Sequence, residues 1–372
     1  QRLLTCIPAM LLCYWCFGYG AWLCLALMLA AGIIAHHQKL SALLAAGILL
    51  LPATQYPATT WWSKPDLDRE YVLSLDVEHY FGNIQKMRKH LETDRQILWV
   101  TYYRNLYNAT HPSEINSPVS LSRNLLAWNQ PGTNGLILPV NPSASFLSIL
   151  FANELWFTLG DMTMAEHCAM LSMIFSPRNS GSRMIKRLAE INLVNGDDEA
   201  ALKYLRILDK TLLHKSWAEK RIPGQQTPRV KEWLEKKRRD IPTQDHLRSG
   251  NDAVTSLRNL VASNAGNLRA YEYLLCYHLL SKDLRSFVED YVPGKVSSSI
   301  FAEALLIHLA RQGNIRAEEL IKYQIPVKIA KEFADYTRLY EAKDTSLKEK
   351  YGKTYWFYYH FATTEPGKES KP

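Results

Sequence analysis

Two stretches of the chain decide the fold: residues 151–175, FANELWFTLGDMTMAEHCAMLSMIF, and residues 184–208, MIKRLAEINLVNGDDEAALKYLRIL. In each stretch an apolar-periodic segment ends in a glycine, an aspartate follows, and a second amphipathic segment begins. Glycine supplies the left-handed backbone position that closes one helix, and aspartate is a good cap for the next. Each stretch therefore predicts two helices joined by a tight turn.

The spacing of these hairpins predicts a repeat array. Gly160 and Gly196 stand 36 residues apart, which is close to the period of roughly 34 residues that is typical of tetratricopeptide repeats. Their second helices begin alike, with Met164-Ala165 and Ala200-Ala201. Each hairpin leaves one apolar face that must pack on a neighbour. We therefore predict an all-α fold, in which an N-terminal transmembrane helical hairpin is followed by a tetratricopeptide-like α-solenoid of helix-turn-helix repeats.

The sequence pattern divides the part after the membrane region into four. Residues 64–220 are predicted to form the first half of the helical-repeat domain, and residues 251–362 the second half, which ends in an aromatic terminal helix. Between them, residues 221–250 contain Ile222-Pro223-Gly224 and many charges, so they are predicted to be a charged linker or insertion. Residues 363–372 are polar and predicted to be a disordered tail.

Three segments of the repeat domain have unusual compositions. Residues 107–148 are rich in proline, and we expect one helix there, from about Val119 to Asn129. Residues 230–239 form a charged helix of mixed sign, which favours a solvated face, with contact to anionic lipid headgroups as the alternative. Seven aromatic side chains between residues 351 and 361 favour a helix that covers the last repeat, with a binding hot spot as the alternative.

The first 63 residues have the composition of a membrane region. They hold only two charges, Arg2 and Lys39. The uncharged run Leu3–Ala35 lies between these two residues, and a second uncharged run, Leu40–Ser63, follows Lys39. A bilayer core about 30 Å thick needs roughly 20 apolar residues per helix. We predict that residues 1–63 form transmembrane helices at about residues 11–35 and 40–62, with residues 3–17 as a truncated extra segment. A cleaved signal peptide is the alternative.

The sequence gives only a weak signal for the side of the membrane on which the large domain lies. If His36-His37-Gln38-Lys39 forms a cytoplasmic loop, the large domain lies in the periplasm of a bacterium, attached to the inner membrane. Lys64 and Arg69, which follow the second predicted helix, nearly balance the positive charges Arg2 and Lys39. A cytoplasmic location of the large domain is therefore the alternative. Cys168 and Cys276 make no disulfide framework and are compatible with either compartment. Because the chain opens with Gln1, we also expect a processed or incomplete product.

The sequence contains no recognisable catalytic motif. Phosphate-binding, dinucleotide-binding, zinc-protease and hydrolase signatures do not occur. Glu166-His167-Cys168 are consecutive, so on a helix they diverge by about 100° per residue, and we expect Cys168 in the core and His167 at the surface. We predict no catalytic, cofactor-binding or metal-ligating residue, no small-molecule ligand and, because the two signs of charge are interspersed, no nucleic-acid partner.

Four segments carry a resemblance to a known family: residues 187–196, 200–205, 271–275 and 353–359. In these segments the chain resembles a family of uncharacterised bacterial multi-pass membrane proteins, which are described only as a domain of unknown function. The likeness covers roughly residues 65–361. It implies several hydrophobic helices followed by a C-terminal tetratricopeptide-like helical domain, and further membrane helices before this chain begins. It supplies no catalytic residue and no ligand.

Two functions are compatible with these observations. The first is a membrane-anchored helical-repeat scaffold, which is not an enzyme, contacts the lipid bilayer and presents a surface to a protein partner. The second is an accessory domain of a multi-pass membrane enzyme or transporter whose active helices precede this fragment. Repeat architecture without catalytic motifs favours the first, because the visible apolar runs hold no acidic group that could catalyse or transport.

Overall fold

The computed structural model describes residues 66–93, 95, 97–110, 121–129, 131–141, 145–176, 181–244 and 252–363. The chain divides into two compact units, Gln1–Glu70 and Tyr71–Pro372, and the second of these is described below. The predicted transmembrane helices at about 11–35 and 40–62 lie outside the described residues, and so does nearly all of the predicted tail. Within the described part, no helix is both long enough and apolar enough to cross a membrane.

The described residues form α-helices and one short 3-10 helix, and they contain no strand, which confirms the all-α prediction for this part of the chain. The α-helices are α1 (Leu67–Phe81), α2 (Ile84–Leu91), α3 (Leu98–Thr110), α4 (Leu125–Trp128), α5 (Phe146–Leu159), α6 (Met162–Phe175), α7 (Ser182–Asn195), α8 (Asp198–Asp209), α9 (Lys215–Glu219), α10 (Pro228–Arg238), α11 (Ala253–Ser263), α12 (Leu268–Leu280), α13 (Leu284–Asp290), α14 (Ser299–Arg311), α15 (Ala317–Lys322), α16 (Val327–Glu341), α17 (Leu347–Tyr351) and α18 (Tyr355–Phe361).

The two central hairpins, α5–α6 and α7–α8, have the turns that the sequence predicts. Gly160 and Gly196 close the first helix of each pair with φ values of 89° and 82°, in the left-handed region. The next residue, Asp161 or Asp197, then accepts a hydrogen bond from a backbone N–H in the first turn of the second helix. Local capping chemistry therefore sets both hairpins.

Helix α6 packs against α7 and joins the two hairpins. Its inner face carries small buried residues, among them Ala165, Cys168 and Ala169, which let the helices approach closely. The Asn153 amide of α5 donates to the Ala165 carbonyl at 2.6 Å. Cys168 lies in the core and His167 at the surface, as the sequence predicts.

In the predicted second half, the helical pair α12–α13 has a turn without glycine. Lys282 takes the place of a turn glycine between α12 and α13, with φ of 59°, and Asp283 caps α13. The Lys282 ammonium donates to the Tyr359 carbonyl of α18 at 2.8 Å. Helix α18 packs against α14, and its Trp356 indole donates to the Glu303 carbonyl at 3.0 Å. The aromatic side chains of this terminal helix therefore belong largely to the core.

The helix predicted at about Val119–Asn129 is described from Leu121 onwards, and this part is not one continuous α-helix. The structure has a 3-10 helix at Ser122–Asn124 followed by the single turn of α4. The cause is tertiary, because Glu272 of α12 accepts hydrogen bonds from the Ser122 N–H at 2.9 Å and its hydroxyl at 2.6 Å. At the other end, the Asn105 amide donates to the Asn129 side chain at 2.9 Å. Both ends of the segment are therefore fixed by distant helices.

Residues 221–244 of the predicted linker pack closely on both halves of the domain. The Arg238 guanidinium donates to the Leu193 and Val194 carbonyls at the end of α7. The Asn267 amide donates to the Leu159 carbonyl at 2.7 Å and to the Asp240 carbonyl at 2.8 Å. The last turn of helix α10 and the turn that follows it are therefore both held by hydrogen bonds. These bonds fix the position of α10 beside α9.

Candidate functional site

A cavity of about 610 Å³ lies between α9 and α10. We call it the tryptophan groove, and its lining residues are Ser216, Trp217, Lys220, Arg221, Thr227, Arg229, Val230 and Trp233. Two of these residues, Trp217 and Trp233, contribute indole rings. Three of these residues carry positive charge, and no carboxylate is among them.

The sequence between α9 and α10 forms a fixed wall of this groove. The chain leaves α9 through a turn in which the Arg221 N–H donates to the Ala218 carbonyl at 2.9 Å. Gly224 then takes a left-handed conformation, with φ of 79°. Pro228 begins α10, where its fixed φ suits the first helical turn and its missing N–H costs nothing. Buried Val230 holds the start of α10 against the core.

Arg221 is the central charge of the groove. Its guanidinium lies 4.1 Å from the centre of the Trp217 ring and donates to the Trp217 carbonyl at 3.2 Å. Its buried Nε has no hydrogen-bond partner among the described residues. Burial lowers the pKa of Arg221, with Glu190 opposing the shift and the like charge of Arg229 adding to it. The groove therefore holds a partly desolvated cation whose guanidinium has one backbone acceptor but whose Nε has none among the described residues.

Further cations surround the same ring. The Lys186 ammonium lies 5.1 Å from the Trp217 ring and 4.5 Å from the Tyr80 ring, while Lys220 and Arg229 are exposed. None of these three side chains, nor Arg221, forms a salt bridge within the described part of the chain. Glu190 is the acid that acts on Arg221, but the cations outnumber it, and such an excess creates a positive potential that attracts an anionic group.

A second cavity, of about 210 Å³, adjoins the groove through Trp233. We call it the ionic pocket, and its lining residues are His79, Tyr80, Glu154, Phe157, Arg183, Lys186, Arg187, Glu190 and Trp233. Unlike the tryptophan groove, this pocket has both signs of charge.

Glu154 lies at the centre of the ionic pocket. It accepts from Arg183 at 2.8 Å and from Arg187 at 2.5 Å, and it is buried. Arg183 also bonds both carboxylate oxygens of Asp76, at 2.5 and 2.8 Å. Burial raises the pKa of Glu154, but the two guanidiniums outweigh it and hold that pKa well below its usual value. The network joins α1, α5 and α7, so it is a structural ion-pair cluster.

Phe157 connects the ionic pocket to α10. The Arg187 guanidinium lies 3.8 Å from its ring centre and the Lys237 ammonium 4.5 Å, and the ring stacks on Trp233 at 6.3 Å. Burial, with Arg269 and Arg187 nearby, lowers the pKa of Lys237 to about 8. These contacts fix Trp233, so the side of the groove that it forms is held in place before any ligand arrives.

The sequence predicts no site residue, and it does not reveal either cavity. The described residues contain no cluster of three or more His, Cys, Asp or Glu side chains that could hold a metal, while His36-His37 lie outside them. A signal for the groove does exist, since Trp217 and Trp233 stand in segments rich in lysine and arginine. The Asp76–Arg183 pair spans 107 residues and has no local signature.

Comparison with known proteins gives one match. A family model described as "Family of unknown function (DUF6057)" matches residues 40–362, which include both cavities. No curated protein matches the chain, and neither does any solved structure. The match confirms that the chain contains an uncharacterised domain. It carries no statement about a membrane or about tetratricopeptide repeats.

Proposed function

We propose a function for a chain that belongs to the family of unknown function DUF6057. In this proposal it is a membrane-anchored helical-repeat scaffold, which binds an acidic segment of a partner protein in the tryptophan groove. Residues 1–63 are the anchor, and the tetratricopeptide-like solenoid carries the groove. The proposed location is the bacterial inner membrane, with the domain in the periplasm.

One observation carries this proposal: the groove combines two indole rings with three cations, Lys220, Arg221 and Arg229, that form no salt bridge within the described residues, and no carboxylate lines it. Its volume of about 610 Å³ falls in the range of roughly 300–1,000 Å³ that is usual for ligand sites. Tryptophan and arginine are also the residues that most often dominate protein interfaces. An incoming carboxylate would give the Arg221 Nε its missing acceptor, and it would relieve the repulsion between Arg221 and Arg229.

An acidic protein segment suits this groove better than a lipid headgroup does. A phosphatidylglycerol headgroup offers one phosphate, whereas the groove has a distribution of several cations: Lys220 and Arg229 line it, and Lys186 lies 5.1 Å from the Trp217 ring. A peptide can place several carboxylates along this distribution and insert an apolar side chain between the indoles. We therefore expect a segment with several Asp or Glu residues and at least one aromatic or large aliphatic residue.

The test is site-specific photocrosslinking of the full chain in native membranes. A photoreactive amino acid replaces Lys220 in the groove, and in a matched control it replaces Lys203, an exposed lysine of α8 that lies close to Glu199. We expect a discrete protein adduct from position 220 alone, mapped by mass spectrometry to an acidic segment. Trp233→Ala in the same chain should remove it.

Three results would overturn the proposal. Adducts of equal yield from both positions would show that crosslinking is not specific to the groove. Adducts with lipid alone would assign the groove to headgroups. An adduct that persists in both Trp233→Ala and Arg221→Ala would place the partner on another surface.

A further inference from the structure

The turn between α8 and α9 exposes two adjacent leucines. Leu212 and Leu213 are 96% and 84% exposed, the largest values among the exposed large hydrophobic side chains of the described residues. Ile207, near the end of α8, adds a half-exposed side chain close to them in sequence. Single exposed hydrophobic residues are ordinary, but an adjacent pair at a turn is a small apolar patch that favours contact with another apolar surface.

The backbone holds these leucines outward. The Thr211 N–H donates to the Leu208 carbonyl at 2.9 Å, and the Thr211 hydroxyl accepts from the His214 N–H at 3.1 Å. On either side, Leu208 and Ala218 are buried in the same small core cluster. Because both flanks are fixed in the core, the two leucines cannot turn inward without unfolding the turn.

The charges around the turn are mainly positive. Exposed Arg206, Lys210 and Lys215 flank the leucines, and none of them forms a salt bridge within the part of the chain that the structure describes. The nearby acids in sequence are Asp209 and Glu219, and the His214 ring bonds the Ser182 hydroxyl at 3.1 Å. An apolar tip with lysine and arginine on both sides is typical of segments that lie in an anionic membrane interface.

We infer that this turn inserts Leu212 and Leu213 into the interface of an anionic bilayer, with Arg206, Lys210 and Lys215 on the lipid phosphates. Two leucines alone give a weak, reversible contact, so the inference rests on the proposed function for the anchor that keeps the domain near a bilayer. It makes no use of the tryptophan groove. A second copy of the chain is a poorer occupant, because a two-fold contact would set these cations against one another.

The experiment places an environment-sensitive fluorescent amino acid at position 213 of the full chain. The matched control carries it at position 321, because Ile321 is 77% exposed but has Glu318 and Glu319 beside it. Each protein is mixed with vesicles whose acyl chains are brominated, made either with phosphatidylglycerol or with phosphatidylcholine alone. Flotation in a density gradient reports whether the chain is on the vesicles.

We expect bromine to quench the fluorophore at position 213 by at least about twofold, as for side chains 5–10 Å into the interface, and to leave position 321 unchanged. The quenching should be stronger with phosphatidylglycerol and weaker after Lys210→Glu with Lys215→Glu. A chain that floats without quenching at position 213 would overturn the inference and leave the anchor intact. A chain that does not float would overturn both, and a concentration-dependent shift in detergent without lipid would assign the turn to self-association.

Discussion

At the scale of the single residue, Glu303 is the clearest case of a carboxylate whose hydrogen bond does not offset the cost of burying its charge. Its carboxylate accepts from the Tyr355 N–H at 2.6 Å, at the start of α18. Burial raises the pKa of Glu303 to about 7; the Tyr355 N–H lowers it in part, and Glu332 raises it further. An acid whose pKa is raised in the folded state favours unfolding as it ionises. Its contribution to stability is therefore lost as pH rises from the unfolded pKa of 4.5 towards 7.

Glu303→Gln should consequently change how stability depends on pH. The amide keeps an acceptor for the Tyr355 N–H but never ionises, so the variant should gain about 1–3 kcal/mol relative to wild type between pH 4.5 and pH 8. Urea unfolding at both pH values in mild detergent measures this gain. Glu349→Gln, at an exposed position, is the control. A stability difference that is the same at both pH values would contradict the assignment.

Glu154 shows the opposite case, a buried acid with full compensation. Glu154→Gln removes the negative charge that Arg183 and Arg187 share, while Arg183 keeps Asp76 and Arg187 keeps Glu190 as ion-pair partners. Removing one partner so that a buried charge is left unpaired costs roughly 3–5 kcal/mol, so with these partners retained we expect a smaller loss of about 2–3 kcal/mol in urea unfolding. Glu199→Gln removes an exposed pair with Lys203 and should cost less than about 1 kcal/mol. Equal losses would show that the ionic pocket contributes little to stability.

At the scale of the element, the two turn glycines form a matched pair. Both Gly160 and Gly196 have left-handed backbone, so alanine should cost about 1–2 kcal/mol at either position. At Gly196 an added Cβ meets nothing within 4 Å, but at Gly160 it would lie 2.2 Å from the Asp240 carbonyl oxygen. Gly160→Ala must therefore also displace the turn after α10. We expect a clearly larger loss of stability for Gly160→Ala in thermal unfolding, and similar losses would contradict this close approach.

The same elements show which features the sequence could predict. The Gly-Asp turns at 160–161 and 196–197 predicted both central hairpins correctly, because capping acts within four residues of the turn. The described part of the helix expected at about Val119–Asn129 is instead a 3-10 turn followed by a short α-helix, because the carboxylate that binds Ser122 belongs to Glu272, 150 residues away. Lys282 occupies a position where glycine is usual, and its ammonium bonds to carbonyls near the end of the chain. Local patterns carry no information about such distant partners.

At the scale of the whole molecule, the tryptophan groove depends on how the predicted insertion packs back on the other helices. The sequence predicts that residues 221–250 divide the domain into two halves, yet the Asp240 carbonyl accepts from Asn267, the N-cap of α12, and Arg238 bonds to the end of α7. These contacts hold α10 beside α9, and Trp217 and Trp233 then line one cavity. The composition of the insertion was visible in the sequence. The way in which the insertion packs on the other helices could not be predicted from the sequence. It depends on side-chain hydrogen bonds to backbone carbonyls, which leave no periodic pattern in the sequence.

The positive charge of the molecule, formally +8, and the apolar contacts of the groove should act on different steps of binding. Charge should set the association rate of an acidic ligand, and the apolar contacts its dissociation rate. Long-range charge accelerates encounter and is screened beyond about 8 Å at physiological salt, whereas buried contacts at the centre of an interface govern dissociation.

With a fluorescent peptide of glutamates around one phenylalanine as probe, Lys220→Glu with Arg229→Glu should slow association by about tenfold at low salt and much less at high salt. Trp233→Ala should instead speed dissociation by about tenfold at either salt concentration. Stopped-flow fluorescence measures both rates, with Lys203→Glu and Arg206→Glu together on α8 as the control for the same change of net charge away from the groove. If the α8 control slows association as much as the groove variants do, the overall charge of the molecule attracts the peptide and the groove has no special part in its capture.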